Sequence, residues 1–137
     1  MKTEVQAVIV DTSALISLLI DTDQNHQLAL EAISNLTQTD QTVLIPHDVF
    51  TECLNTLGKK FGHKQTILAS KEILTSSFFE IANPSEDLRK LALSKFELQS
   101  GSVSFTDCIV MALADLSGTK KIFGFDKVFK KNGYQIF

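Results

Sequence analysis

Four acidic residues stand out by where the sequence puts them. Asp11 ends the apolar run Val8-Ile9-Val10 and is followed by two hydroxyls, Thr12 and Ser13, while Asp126 follows the apolar run Ile122-Phe123-Gly124-Phe125. Glu52 sits off the centre of a helical apolar face formed by Val49, Phe50, Cys53, Leu54 and Leu57, and Asp107 falls in the first turn of a helix beginning near Ser104. Carboxylates gathered in one place raise each other's pKa unless cations lie between them. An oxygen-only donor set suits Mg²⁺ or Mn²⁺, and no neighbouring His/Cys set invites zinc. One ion, or two about 3.5 to 4 Å apart, could activate a water and stabilise the leaving oxygen of a phosphodiester. The chemistry indicated is metal-dependent phosphodiester hydrolysis.

Each acid also has an ordinary explanation. Asp11 could cap the following helix, and Ser104-x-x-Asp107 has the form of a capping box with Asp in place of Glu. Glu52 could be one solvated charge among many, and Asp126 could open a turn in Phe125-Asp126-Lys127-Val128-Phe129. What favours a shared site is that a single fold would bring all four to one place.

That fold is read from apolar periodicity. The pattern predicts a strand at about 6 to 10, helices at about 13 to 20 and 24 to 37, a strand at about 42 to 45, and a helix with Pro46 in its first turn running to about Lys60. A helix near 63 to 75, a short strand at about 78 to 81 and a helix opened by Asn83-Pro84 through about Phe96 follow. From Ser104, the residues Phe105, Cys108, Ile109, Ala112, Leu113 and Leu116 make the clearest amphipathic helix, closed by Gly118. Two final strands, near Lys121 to Phe125 and Tyr134 to Phe137, are joined through Asn132-Gly133. Strands spaced by helices imply right-handed crossovers and an α/β fold, three layers α/β/α around a mostly parallel central sheet. Such sheets bind ligands beyond the carboxyl ends of their strands, where Asp11 and Asp126 both stand.

The chain's 137 residues, 44% of them hydrophobic, fit one domain spanning 1–137 with a core that needs no disulfide. Neither a signal peptide nor an apolar run of membrane-spanning length is visible, so the expected protein is soluble, cytoplasmic and free of membrane. Cys53 and Cys108 lie in apolar helical contexts without Cys-x-x-Cys spacing and read as buried thiols. Sixteen acidic against thirteen basic residues, a formal charge of −3, exclude the broadly basic surface of a non-specific nucleic-acid binder. RNA or DNA would need local basic patches or bound cations. Two such patches are Lys59, Lys60, His63 and Lys64, and Lys120, Lys121, Lys127, Lys130 and Lys131; the second flanks Asp126. The ten phenylalanines are spaced for core packing rather than base stacking.

Four fragments carry a family resemblance: Val10-Asp11-Thr12-Ser13-Ala14-Leu15, Phe50-Thr51-Glu52-Cys53-Leu54, Ser104-Phe105-Thr106-Asp107-Cys108-Ile109 and Phe125-Asp126-Lys127-Val128-Phe129. In their order and spacing the chain resembles the PIN-domain family, named after the PilT N-terminus and best known from ribonucleases, including toxins of bacterial toxin-antitoxin pairs. The resemblance implies a PIN-like fold and a Mg²⁺ or Mn²⁺ site whose ligands and catalytic residues are Asp11, Glu52, Asp107 and Asp126. Ser13 matches the hydroxyl that assists the first Asp. It also implies RNA as substrate and an antitoxin protein as partner. One position departs: many members carry Thr two residues before the last Asp, where this chain has Gly124.

The expected function is therefore a divalent-metal-dependent endoribonuclease. The alternative is a catalytically weak or inactive PIN-like scaffold that binds RNA or protein. A phosphoacceptor receiver-like domain would also use Asp11 and a parallel sheet, but its paired acidic motif and placed lysine are not found. Apolar faces on the helices between residues 13 and 36 suit either the chain's own core or a homodimer.

Overall fold

The computed structural model describes residues 6–136. Strand β1 (Gln6–Val10) is the middle of the sheet, and its residues Ala7 to Val10 are all buried. A strand buried at successive positions, rather than at alternate ones, is covered on both faces, as a parallel sheet sandwiched by helices requires. The others are β2 (Gln41–Pro46), β3 (Phe79–Ala82), β4 (Lys121–Phe123) and β5 (Gln135–Ile136), in the spatial order β3-β2-β1-β4-β5. All pairings among the described residues are parallel, so the sheet is parallel throughout.

The helices are α1 (Thr12–Leu19), α2 (His26–Thr37), α3 (His47–Phe61), α4 (His63–Thr75), α5 (Glu86–Glu97), α6 (Phe105–Leu116) and α7 (Lys127–Lys131), giving the three-layer α/β/α arrangement. Helix α6 is buried continuously from Cys108 to Ala114, and it packs against α5 as well as β1, β2 and β4. A helix apolar nearly all round needs neighbours on several sides, and this one has them. Its far end is fastened by Asp115, which accepts from the Tyr134 hydroxyl at 2.8 Å and pairs with Lys95 at 2.7 Å, tying α5, α6 and the approach to β5 together. Helix α2 buries Ala29, Ala32 and Leu36 but leaves Leu28 and Leu30 exposed. No helix among the described residues is long and apolar enough to cross a membrane.

The strand order sets the geometry that matters for function. The chain steps from β1 to β2 to β3 on one side, then returns to lay β4 and β5 on the other, so β1 and β4 flank the point where the winding reverses. The Asp11 N–H donates to the Phe123 carbonyl at 3.0 Å, carrying the β1–β4 ladder one residue past the end of β1.

The structure departs from the sequence expectation in a few places. β4 ends at Phe123 rather than Phe125, and the connection to β5 contains the short helix α7. The Asp126 carboxylate caps α7 by accepting from the Val128 N–H at 3.0 Å, and Phe129 anchors the helix in the core. Pro46 closes β2 in an extended conformation and precedes α3 instead of lying in its first turn. Helix α5 starts after Ser85, whose hydroxyl accepts from the Leu88 N–H at 3.1 Å, so Asn83-Pro84 lies outside it. Phe137, expected in the last strand, lies outside the described residues.

Candidate metal centre

Asp11 occupies the N-cap position of α1, yet its side chain makes no capping bond to that helix. Its carboxylate instead accepts from the Ser13 hydroxyl at 2.9 Å. The residue is only 4% exposed. Burial, only partly offset by the Ser13 bond and reinforced by the charges of Asp107 and Asp126, pushes its carboxyl up from 3.8 to about 6. Beside it, the Thr12 hydroxyl is buried with no hydrogen-bond partner among the described residues, an arrangement that is costly for a polar group.

Asp107 is half-buried at the third position of α6. It forms a reciprocal capping box: its N–H donates to the Ser104 hydroxyl and its carboxylate accepts from the Ser104 N–H, both at 3.1 Å. Burial raises its carboxyl against these bonds, with help from the charges of Asp126 and Glu52. Glu52, exposed on α3, accepts from the Thr106 hydroxyl at 2.9 Å, a bond that joins α3 to the start of α6. Asp126 is exposed at the head of α7. The capping explanation thus holds for Asp107 and not for Asp11, while Asp126, expected to open a turn, caps α7; Asp107 and Asp126 both lie within electrostatic reach of Asp11.

Asp11, Asp107 and Asp126 thus come from three separate elements into electrostatic reach of one another near the β1–β4 reversal, and Glu52 joins them only through the charge of Asp107 and its bond to Thr106. Among the described residues the ion pairs are Lys90–Glu86 and Lys95–Asp115, neither of which neutralises any of the four. As the side chains are turned, no three His, Cys, Asp or Glu groups among the described residues stand close enough to share one ion. Glu52, Asp107 and Asp126 each spend an oxygen on a local donor. The donor chemistry still fits a hard divalent cation: oxygen ligands only, a buried carboxylate with no ion-pair partner among the described residues, and an orphaned hydroxyl next to it.

Two open polar grooves border these acids. One, of about 500 Å³, is lined by His47, Thr51, Glu52, Asn55, Lys59 and Thr106; the other, of about 300 Å³, by Gln99, Ser102, Asp126, Lys127, Lys131 and Asn132. A third groove, of about 600 Å³ between α3 and α4, is lined by Leu54, His63 and Ile67 and by none of the four acids. The C-terminal lysines divide. Lys127 and Lys131 flank Asp126, whereas Lys121 Nζ bonds to the Gln6 side chain at 2.9 Å and Lys120 lies over the Tyr134 ring. His26 is held by the Ser17 carbonyl at 2.7 Å, away from the acids. Both thiols are buried as expected, and burial next to Glu52 pushes Cys53 up to about 12, which leaves it inert. Thr106 was not legible in the sequence as a site residue, because its role depends on a partner 54 positions away.

Similarity to known proteins is consistent with this architecture. Among solved structures, the chain resembles VapC20 of Mycobacterium tuberculosis, a sarcin-ricin-loop-cleaving toxin, with a TM-score of 0.79 and 22% identity over 93% of this chain and 96% of that one. It also resembles a toxin-antitoxin complex from Klebsiella pneumoniae, with a TM-score of 0.65 and 19% identity over 95% of each chain. A third is VapBC2 from Rickettsia felis, bound to a DNA fragment from its promoter, with a TM-score of 0.69 and 14% identity over 96% of this chain and 98% of that one. At these identities the likeness is one of fold. No curated protein matches the sequence. The PIN domain profile does, from residue 8 to residue 133, a span that takes in all four acidic positions, and on that match the chain belongs to the PIN domain family.

Proposed function

We propose that this chain is a divalent-metal-dependent endoribonuclease that hydrolyses RNA phosphodiester bonds, and that it acts as the toxin of a toxin-antitoxin pair. The observation that carries the reading is the buried Asp11 beside the β1–β4 reversal, opposed by the charges of Asp107 and Asp126 and with no cationic partner among the described residues; Glu52 lies within reach of Asp107 and completes the proposed set. Family membership supports nuclease chemistry. The toxins and toxin-antitoxin complexes among its structural neighbours support RNA as substrate and a separate antitoxin as partner.

In this reading the four carboxylates hold Mg²⁺ or Mn²⁺. When bound, the ion would supply charge that offsets their mutual repulsion and the negative charge that builds on the phosphate oxygens and the leaving oxygen during hydrolysis. Ser13 orients the Asp11 carboxylate, and Thr106 orients Glu52. Lys59 on one side, and Lys127 and Lys131 on the other, hold the phosphates of the strand in the two polar grooves.

The test is incubation of purified protein with RNA and Mg²⁺ or Mn²⁺. Cleavage is expected for the wild type and its loss for Asp11→Asn and Asp107→Asn; cleavage that persists in both variants belongs to another nuclease and overturns the assignment. A second reading, a PIN-like scaffold with a decayed site, draws on the local bonds that hold three of the acids and on Gly124. It predicts that excess Mn²⁺ leaves the melting temperature unchanged, whereas a nuclease site raises it.

A further inference from the structure

Gly124 is buried between β4 and α7, and its backbone is not in the left-handed region that Gly62, Gly118 and Gly133 adopt. What this position uses is therefore the missing side chain, not glycine's backbone freedom. A Cβ placed there would lie 3.2 Å from the Asp11 Cβ, 3.2 Å from Phe129 Cε2 and 3.4 Å from Ile122 Cγ2. The first two neighbours have little room to retreat. Asp11 is held by its backbone bond to Phe123, and the Phe129 ring is fully buried. We infer that Gly124 and Phe129 form a coupled pair that positions Asp11: the ring takes the space a side chain at 124 would need and, across the glycine, fixes where the Asp11 Cβ stands at the β1–β4 seam, the point from which its carboxylate would serve a divalent cation. Phe129 is thus a positioning residue, which carries no ligand atom. Its role toward a cation rests on the metal-site reading above; the packing coupling does not.

The test compares wild type, Gly124→Ala, Phe129→Leu and the double variant by two measurements. One is the urea midpoint in EDTA; the other is the Mn²⁺ concentration that half-saturates the protein, read by isothermal titration calorimetry. Gly124→Ala is expected to lower the urea midpoint and to raise the half-saturating Mn²⁺ about ten-fold or more, as loss of an outer-shell support does. Phe129→Leu, which opens space, is expected to weaken both alone yet restore part of both when added to Gly124→Ala. Additive effects in EDTA overturn the coupling. A coupled pair whose Mn²⁺ midpoints all equal the wild type's overturns the positioning role. If Gly124→Ala does not fold, Phe129→Leu decides alone, and unchanged Mn²⁺ affinity counts against the inference. A wild type that gives no Mn²⁺ response overturns the metal reading and the positioning role with it, while the urea midpoints in EDTA still decide separately whether the pair is coupled.

Discussion

Asp11 is held against its own charge, and that has a measurable cost. Its carboxyl titrates near 3.8 when unfolded and about 6 when folded, because burial and two neighbouring carboxylates favour the neutral form. Between those values the folded chain binds more protons than the unfolded one, so stability falls as pH rises from about 4 to about 6 and stays reduced above. The difference corresponds to up to about 3 kcal/mol at neutral pH. Asp11→Asn is therefore expected to be more stable than wild type in EDTA at about pH 7.5, with the advantage fading toward about pH 4. Urea midpoints across that range check it; equal midpoints at every pH would count against a strained Asp11. Mn²⁺ should stabilise the wild type and leave the variant where it was. The sequence revealed this residue through the apolar run before it and the hydroxyls after it. It could not reveal how deeply the carboxylate is sunk, because Gly124, which backs it, and Phe129 beyond lie more than a hundred positions downstream.

Among the elements, α6 carries two roles at one end. The pattern Ser104-x-x-Asp107 was legible as a helix start, and the structure contains the full reciprocal box. The same Asp107 belongs to the candidate site, so capping and ligation compete for one carboxylate, and single substitutions can separate them. Ser104→Ala removes the hydroxyl that accepts from the Asp107 N–H and is expected to cost about 1 kcal/mol of stability. The bond from the N–H of residue 104 to the Asp107 carboxylate survives that change, so the Mn²⁺-induced rise in melting temperature should persist. Asp107→Asn should abolish the rise. A Ser104→Ala protein that loses its Mn²⁺ response would mean that the cap, not the carboxylate, governs binding. Helix α7 was not legible because five residues are too few to show a period, and its stability comes from the Asp126 cap and from Phe129 packing into a core assembled elsewhere.

At the scale of the molecule, sheet topology and charge distribution together set how a polyanion could approach. Strand-helix alternation made the parallel sheet legible, and the general rule for such sheets pointed to the strand ends that hold Asp11 and Asp126. The lysines were harder to place, because adjacency in sequence hid opposite destinations: Lys121 begins β4 and bonds to Gln6 at the start of β1, while Lys127 and Lys131 lie beyond the other end of that strand, beside Asp126. With a formal charge of −3, the chain has no general attraction for RNA and must rely on such local cations. If Lys127 and Lys131 hold phosphates, replacing both with Ala in an Asp11→Asn background should weaken single-stranded RNA binding about equally for different sequences. The slope of log affinity against log salt should flatten by about 0.7 for each lysine removed. Fluorescence anisotropy at several salt concentrations measures both quantities. Lys120→Ala with Lys121→Ala provides the contrast, and a loss of binding there as large as at Lys127 and Lys131 would put the RNA on the wrong end of the sheet.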